Sequence, residues 1–494
     1  MSPHDASALA GVCSTLPPSI DLPGSAAARV AQFAAPTVLL PASSSAPPAR
    51  RIALLSDAAA PLGAPGAVGA DGHHIAARQL ARALGRAGVA VDLFCPCATG
   101  GQRPVVDWQD NVRVIAVVPG RAHRVPQAPL PPHAEAAARS AARFTARFTG
   151  SYSASFTASC TASLTASIAA SDAANLTASC AARFTPRLIA RLARLASRQP
   201  ALYQLVHASG FASGMIAAQL KRTLGLPFIV AWRGPGEAGQ PGPGAIDLAD
   251  LGGAAPARIM ARPCGFSPDE FWPAPQREAR ARLHIPAHRF VVLHAGRLAP
   301  HKGIDSAIQA VAMLRQRHGV DAELLVVGGE RGGSAGQDGV EQARLRQLAV
   351  ALGIGQQVRF EGARPHAALC DYYAAADVLA STPWCDASAL APAEAMACAR
   401  VVVGTEVGGV KDVVLDGITG YLVPPRDPAA LADRLARLQR QPERARHMGQ
   451  LGRVRVCEHY TWRRVAQQFI EVYSSVLEET RASLPPLYFS QENA

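Results

Sequence analysis

Short runs of aliphatic residues recur through the second half of the chain, at 290–295, 322–327, 358–361, 378–381, 401–404 and 420–423. They are rich in Val and Leu and scarcely alternate with polar residues, the pattern of strands covered on both faces. Between them, segments 305–318, 342–352 and 365–375 carry apolar residues at helical spacing. Strand, turn, helix, strand in that order points to a parallel sheet with helices on both sides. The first half repeats the rhythm, with strands expected at 51–56, 89–94, 112–118, 202–207 and 227–232. Helices are expected at 73–86, stopped by Gly88, and at 211–224. A chain of 494 residues exceeds one compact core, so two α/β domains with appendages are expected.

Several stretches stand outside this rhythm. Residues 1–49 are Ala, Ser and Pro with few aromatics, the composition of a flexible arm. Between 144 and 188, Phe144, Phe148, Tyr152, Phe156, Cys160, Leu164, Ile168, Leu176, Cys180, Phe184 and Leu188 keep one four-residue register, broken at Asp172. On a helix that register drifts about 40° per repeat, whereas on a strand it holds one side, so periodicity alone leaves both open. It reads as a low-complexity insert without chemistry. Residues 187–198 form an amphipathic helix with Arg187, Arg191, Arg194 and Arg198 on one face. That face suits either solvent or an anionic membrane surface.

The net charge is +12, yet aromatics do not interleave with the basic residues and no nucleic-acid motif occurs, so nucleic acid is not expected as a partner. The ten cysteines follow no zinc or disulfide framework, as in a reducing compartment. No secretory pattern opens the chain and no apolar run is long enough to cross a bilayer. A cytoplasmic location is expected, with peripheral contact at the inner face of the membrane through 187–198.

Two motifs carry chemistry. Asp386 and Glu394 stand eight residues apart, ahead of and at the expected start of a helix running to Ala399. Gly296-Arg-Leu-Ala-Pro-His-Lys-Gly303 lies between a strand and a helix, and carries Lys302, one of only three lysines. Carboxyl ends of strands are where open α/β sheets bind ligands. Arg297 there offers a planar fork to phosphate oxygens, and Lys302 a point charge.

Together these motifs resemble family 4 retaining glycosyltransferases (GT-B fold, glycosyl transferases group 1), strongly over 263–464 and weakly over 51–232. The resemblance implies two doubly wound Rossmann-like domains facing across a cleft. It implies transfer of a sugar from a nucleotide-diphosphate-sugar to an acceptor hydroxyl with retention of configuration. The acceptor would be a carbohydrate or a lipid-linked intermediate, in polysaccharide, lipopolysaccharide or glycolipid synthesis. Arg297, Lys302 and Asp386 would be catalytic, with no metal or other cofactor. Glu394 would hold the ribose; Leu390, Ala391, Gly296, Gly328, Arg364 and Gly72 would complete the donor site. His207 and Arg233 would face the acceptor.

Departures from the family pattern are Asp386 and Arg233, where Glu and His are usual, Asp71 in place of a glycine, and an alanine, Ala389, at another glycine position. The first domain is also expected to be short by one strand–helix unit before the link. The alternative they raise is a catalytically impaired GT-B descendant that binds a nucleotide sugar or a partner protein. The expected domains are the arm 1–49, an acceptor-side domain 50–262 with its insert 143–186, and a nucleotide-sugar domain 263–464. A helix 465–484 would cross back to the first domain, and 485–494 would be a tail.

Overall fold

The computed structural model describes residues 51–56, 72–96, 105–109, 111–117, 202–231, 258–260, 264–329, 337–384 and 389–482. The arm, the period-four insert, the 187–198 helix, Asp71, Arg233 and Asp386 lie outside the described residues.

The first sheet is built from β1 (Arg51–Leu55), β2 (Ala90–Pro96), β3 (Val105–Gln109), β4 (Val112–Val117), β5 (Leu205–Ala208), β6 (Phe228–Ala231) and β7 (Arg258–Met260), with α1 (Gly72–Arg86) and α2 (Phe211–Leu224). Its order is β3-β4-β2-β1-β5-β6-β7. Only the β3–β4 pair is antiparallel. One face, with Ile52, Leu54, Val91, Leu93, Leu205 and Ile229, packs on α1 and on the last helix of the chain. The other, with Ala53, Leu55, Phe94, Val206, Phe228 and Val230, packs on α2.

The second half continues with α3 (Gln276–Arg282), β8 (Phe290–Ala295), α4 (Ile304–His318), β9 (Ala322–Val327), α5 (Gln337–Ala351), β10 (Val358–Gly362), α6 (Leu369–Ala375), β11 (Val378–Ser381), α7 (Leu390–Ala397), β12 (Val401–Thr405), α8 (Val410–Val413) and β13 (Gly420–Val423). It ends with α9 (Pro428–Arg440), α10 (Pro442–His459) and α11 (Trp462–Ala482). The second sheet runs β10-β9-β8-β11-β12-β13, all parallel. Alternate residues of each strand feed opposite faces: Val292, Leu324 and Val403 meet α4 and α9, while Val291, Leu293 and Val402 meet α6 and α7. Each such side chain stabilises by about 1.5–3 kcal/mol, which is why these uniformly apolar runs are strands and not surface segments.

A clamp turns the chain back to the first sheet. Phe266 N–H donates to Tyr460 O at 2.9 Å and Trp462 N–H to Phe266 O at 3.1 Å. A side chain on Gly265 would lie 2.7 Å from the Trp462 ring, so only glycine admits that close approach. From there Trp462, Val465, Phe469, Val472 and Tyr473 of α11 join the core beneath the first sheet.

The structure revises three expectations. The strand thought missing before the link is β7, pairing parallel with β6. Only three residues long, it follows directly on the Gly/Pro-rich stretch, too short to show a period. The edge strand β3 was also unforeseen; Asn111, at φ +62, provides its turn. Finally, α7 begins at Leu390, so Glu394 is its fifth residue rather than its first. Pro392 is tolerated in that first turn because the N–H it lacks has no intrahelical acceptor there.

Candidate active site

The order of the second sheet reverses between β8 and β11, and such a reversal opens a crevice outside the carboxyl ends of the two strands. The loop carrying Arg297 and Lys302 leaves β8 there, and the segment leading to Asp386 leaves β11. The two are locked together. Trp384 N–H donates to His301 O at 2.9 Å, and Thr382 Oγ1 to Gly303 O at 2.8 Å. Gly303 has φ +66, and a Cβ on it would come within 2.0 Å of Thr382 O. Beneath the loop, the buried His294 places Nε2 3.4 Å from Lys302 O. Burial pushes that imidazole down to about 4, so it is neutral near pH 7. Arg297 is exposed at the mouth and Lys302 half-buried. Arg426, which sequence reasoning missed, lies with its guanidinium carbon 3.8 Å from the Trp384 ring centre.

Backbone alone closes the floor beside this loop. Gly296 N–H donates to Val327 O at 2.9 Å, and Gly328 N–H to Gly362 O at 3.0 Å. Gly328, at φ +141, passes so near that a Cβ would meet Gly296 O at 1.7 Å. Gly328 is required by that approach, and Gly296 by its φ of +151, although a Cβ there would meet nothing within 4 Å. Arg364 sits at the rim, donating to Glu361 at 2.9 Å and lying 5.9 Å from the Tyr372 ring centre. Glu361 also takes Arg359 at 2.7 Å. A local ion network thus accounts for the position of Arg364 without a ligand.

At the start of α7, Ala389 has φ −114 and ψ 29, so alanine in place of glycine brings no backbone strain. Leu390 and Ala391 present first-turn amides of the kind that receive anions at helix N-termini. Ala393 N–H is already given to Ala389 O at 3.0 Å. Leu390 also joins the core of the first sheet, so this helix end touches both halves of the molecule.

Glu394 is closed off from solvent. It is 3% exposed. His366 Nε2 lies 2.7 Å from its Oε1, and Tyr373 OH donates to its Oε2 at 2.8 Å. The other ring nitrogen, Nδ1, lies 3.0 Å from Glu270 Oε2. Each oxygen of Glu394 keeps a further lone pair. Sequence reasoning passed over His366, Tyr373 and Glu270. The available signal was the place of His366 just beyond a strand's carboxyl end, the rule that singled out Arg297 and Lys302.

On the first sheet, Gly72 opens α1. His207 corrects an expectation. Rather than facing an acceptor it is 0% exposed, its Nδ1 2.6 Å from Tyr473 OH and its ring 4.8 Å from that of Phe469. It is a core residue on which α11 docks. Burial lowers its pKa from 6.5 to about 3. The unfolded chain therefore binds the extra proton between these values. Stability is fully present above about pH 6.5 and falls as the pH drops toward 3, by about 1.4 kcal/mol per unit for one such histidine. The melting temperature should decline from pH 7 to pH 5, and less steeply in His207→Asn; equal slopes would refute this source of acid sensitivity.

Comparison with known proteins bears on this site. Residues 275–455, from α3 to within α10, match the family model described as Glycosyl transferases group 1. The chain is 30% identical to D-inositol 3-phosphate glycosyltransferase of Acidothermus cellulolyticus over 468 residues, 88% of this chain and 92% of that one. It is 29% identical to D-inositol 3-phosphate glycosyltransferase 1 of Catenulispora acidiphila over 462 residues, 87% and 97% of the respective chains. Among solved structures, sucrose-phosphate synthase from Thermosynechococcus elongatus superposes with a TM-score of 0.64 at 24% identity, over 87% of this chain and all of that one. The chain belongs to the group 1, family 4 glycosyltransferases and is a glycosyltransferase of the GT-B fold.

Proposed function

We propose that the chain moves a sugar from a nucleotide-diphosphate-sugar to an acceptor hydroxyl with retention of configuration. One observation carries this reading: Gly303 is pressed against Thr382, so the cationic loop after β8 and the segment leading into the acid motif share one crevice. In the reaction the bond between the anomeric carbon and the diphosphate oxygen breaks, the acceptor oxygen bonds to that carbon on the same face, and the acceptor's proton passes to the departing diphosphate. Lys302 and Arg297 stabilise the negative charge gathering on the departing diphosphate, assisted by the amides of Leu390 and Ala391. Asp386 holds the sugar's hydroxyls and Glu394 the ribose. Gly296 and Gly328 let the backbone approach the nucleotide.

The acceptor class follows the relatives as far as they reach. Those named above are D-inositol 3-phosphate glycosyltransferases matched over most of this chain, which puts a phosphorylated polyol beside carbohydrate and lipid-linked acceptors. Among the described residues no helix is long and apolar enough to cross a membrane. A cytoplasmic enzyme touching the membrane through 187–198 is the matching location.

The test is turnover with a panel of UDP-, GDP- and ADP-sugars against these acceptors, with the product anomer read by NMR. Transfer from one donor with its configuration kept supports the reading. Binding without turnover across the panel refutes it in favour of an impaired descendant. Because Lys302 and Arg297 take the place of a metal in this scheme, excess EDTA should leave the rate unchanged; a rate abolished by EDTA and restored by a divalent cation would refute that part.

A further inference from the structure

Five elements meet in one line of side chains, of which the reaction scheme above uses only Glu394. Gln79 on α1 donates to Glu270 at 3.2 and 3.4 Å. Glu270, in the link ahead of α3, meets His366 at 3.0 Å. His366, in the turn between β10 and α6, meets Glu394 of α7 at 2.7 Å, and Tyr373 of α6 closes the line at 2.8 Å. The edge-on Phe271 ring, 4.9 Å from His366 and 5.8 Å from Tyr373, fixes both rings in place.

Each nitrogen of His366 faces a carboxylate, and only the doubly protonated ring donates from both. Burial by itself would lower its pKa, but the Glu394 and Glu270 carboxylates outweigh that and raise it to about 10. Glu270 is in turn held below the usual carboxylate range, chiefly by its hydrogen bond with His366. Arg82, one helical turn beyond Gln79, adds its positive charge toward Glu270. At neutral pH the line therefore holds an imidazolium between two carboxylates. A carboxyl group as buried as Glu394 needs such hydrogen-bond partners and is held by them in one rotamer.

We propose that His366 is a positioning residue of the donor site: it fixes the Glu394 carboxylate for the nucleotide's ribose hydroxyls, and through Glu270 and Gln79 it ties that carboxylate to helix α1 of the first sheet. The inference rests on the assignment of Glu394 to the ribose. It makes donor recognition depend on the contact between the two halves of the chain, because Gln79 belongs to the first and the other members to the second.

The readout is binding of UDP, ADP and GDP by calorimetry, each beside its 2′,3′-dideoxy form. The full chain should prefer the hydroxylated form of its nucleotide by at least about tenfold, the worth of a charge-assisted hydrogen bond. His366→Gln, whose amide reaches the Nε2 position, should keep most of that preference. His366→Asn, whose amide reaches only the Nδ1 position, should lose it, while dideoxy binding stays unchanged. A preference intact in His366→Asn overturns the inference and leaves Glu394 on the ribose. Equal weakening of both forms overturns it in favour of a structural role. Absence of any preference in the unmodified chain removes the ribose assignment and the inference with it.

Discussion

Lys302→Ala is expected to turn over more than tenfold more slowly than the unmodified chain, at nearly unchanged melting temperature. The backbone bonds that shape the loop do not use the ammonium group. Its backbone is held by Trp384 N–H on His301 O, by Thr382 on Gly303 O and by the contact of Gly303 with Thr382. What the side chain contributes is charge, half-buried beside the crevice where a diphosphate would depart. Loss of one preorganised group of this kind costs about 10²–10³ in kcat where water is excluded. Interactions that strengthen as the leaving group gains charge appear in kcat more than in KM. Arg297→Ala should follow in the same direction with a smaller loss, since Arg297 is exposed and better screened by water. Unchanged turnover in Lys302→Ala would remove the diphosphate role.

Legibility of the sequence followed physical locality. The strands β8, β9, β11 and β13 coincide with the expected runs because each is an unbroken apolar stretch between turn residues, fixed by its own composition. Helix α2 also coincides, ending at Gly225 with φ +69. The expected start of α7 fell four residues late, at Glu394 instead of Leu390, although a first-turn proline such as Pro392 is compatible with the earlier start. The glycines at 296, 303 and 328 could be singled out, but the carbonyls they pass could not, since those belong to other loops. Long-range pairing was invisible altogether. Glu270 and His366 are 96 residues apart and His207 and Tyr473 are 266 apart, so no local spacing foretells either contact. That is also why His207, at the end of an expected strand, was assigned to the acceptor when it is a buried docking point for α11.

Gly303→Ala is expected to damage the crevice severely for a single added methyl group, and Gly319 supplies its control. Gly303 has φ +66 and Gly319 φ +67, so alanine carries the same backbone strain at either position. Around Gly319 a Cβ meets nothing within 4 Å, whereas at Gly303 it would lie 2.0 Å from the carbonyl oxygen of Thr382. Gly319→Ala therefore measures the strain alone, about 1 kcal/mol, with turnover unaffected. In Gly303→Ala backbone must move against backbone, and the loop carrying Lys302 parts from the segment leading to Asp386. A displacement near 1 Å between groups that act together costs about a hundredfold in rate. Gly303→Ala should thus lose about a hundredfold in turnover and melt below Gly319→Ala when the two are measured side by side. Equal turnover in the two variants would mean that the join between the loops after β8 and β11 plays no part in catalysis.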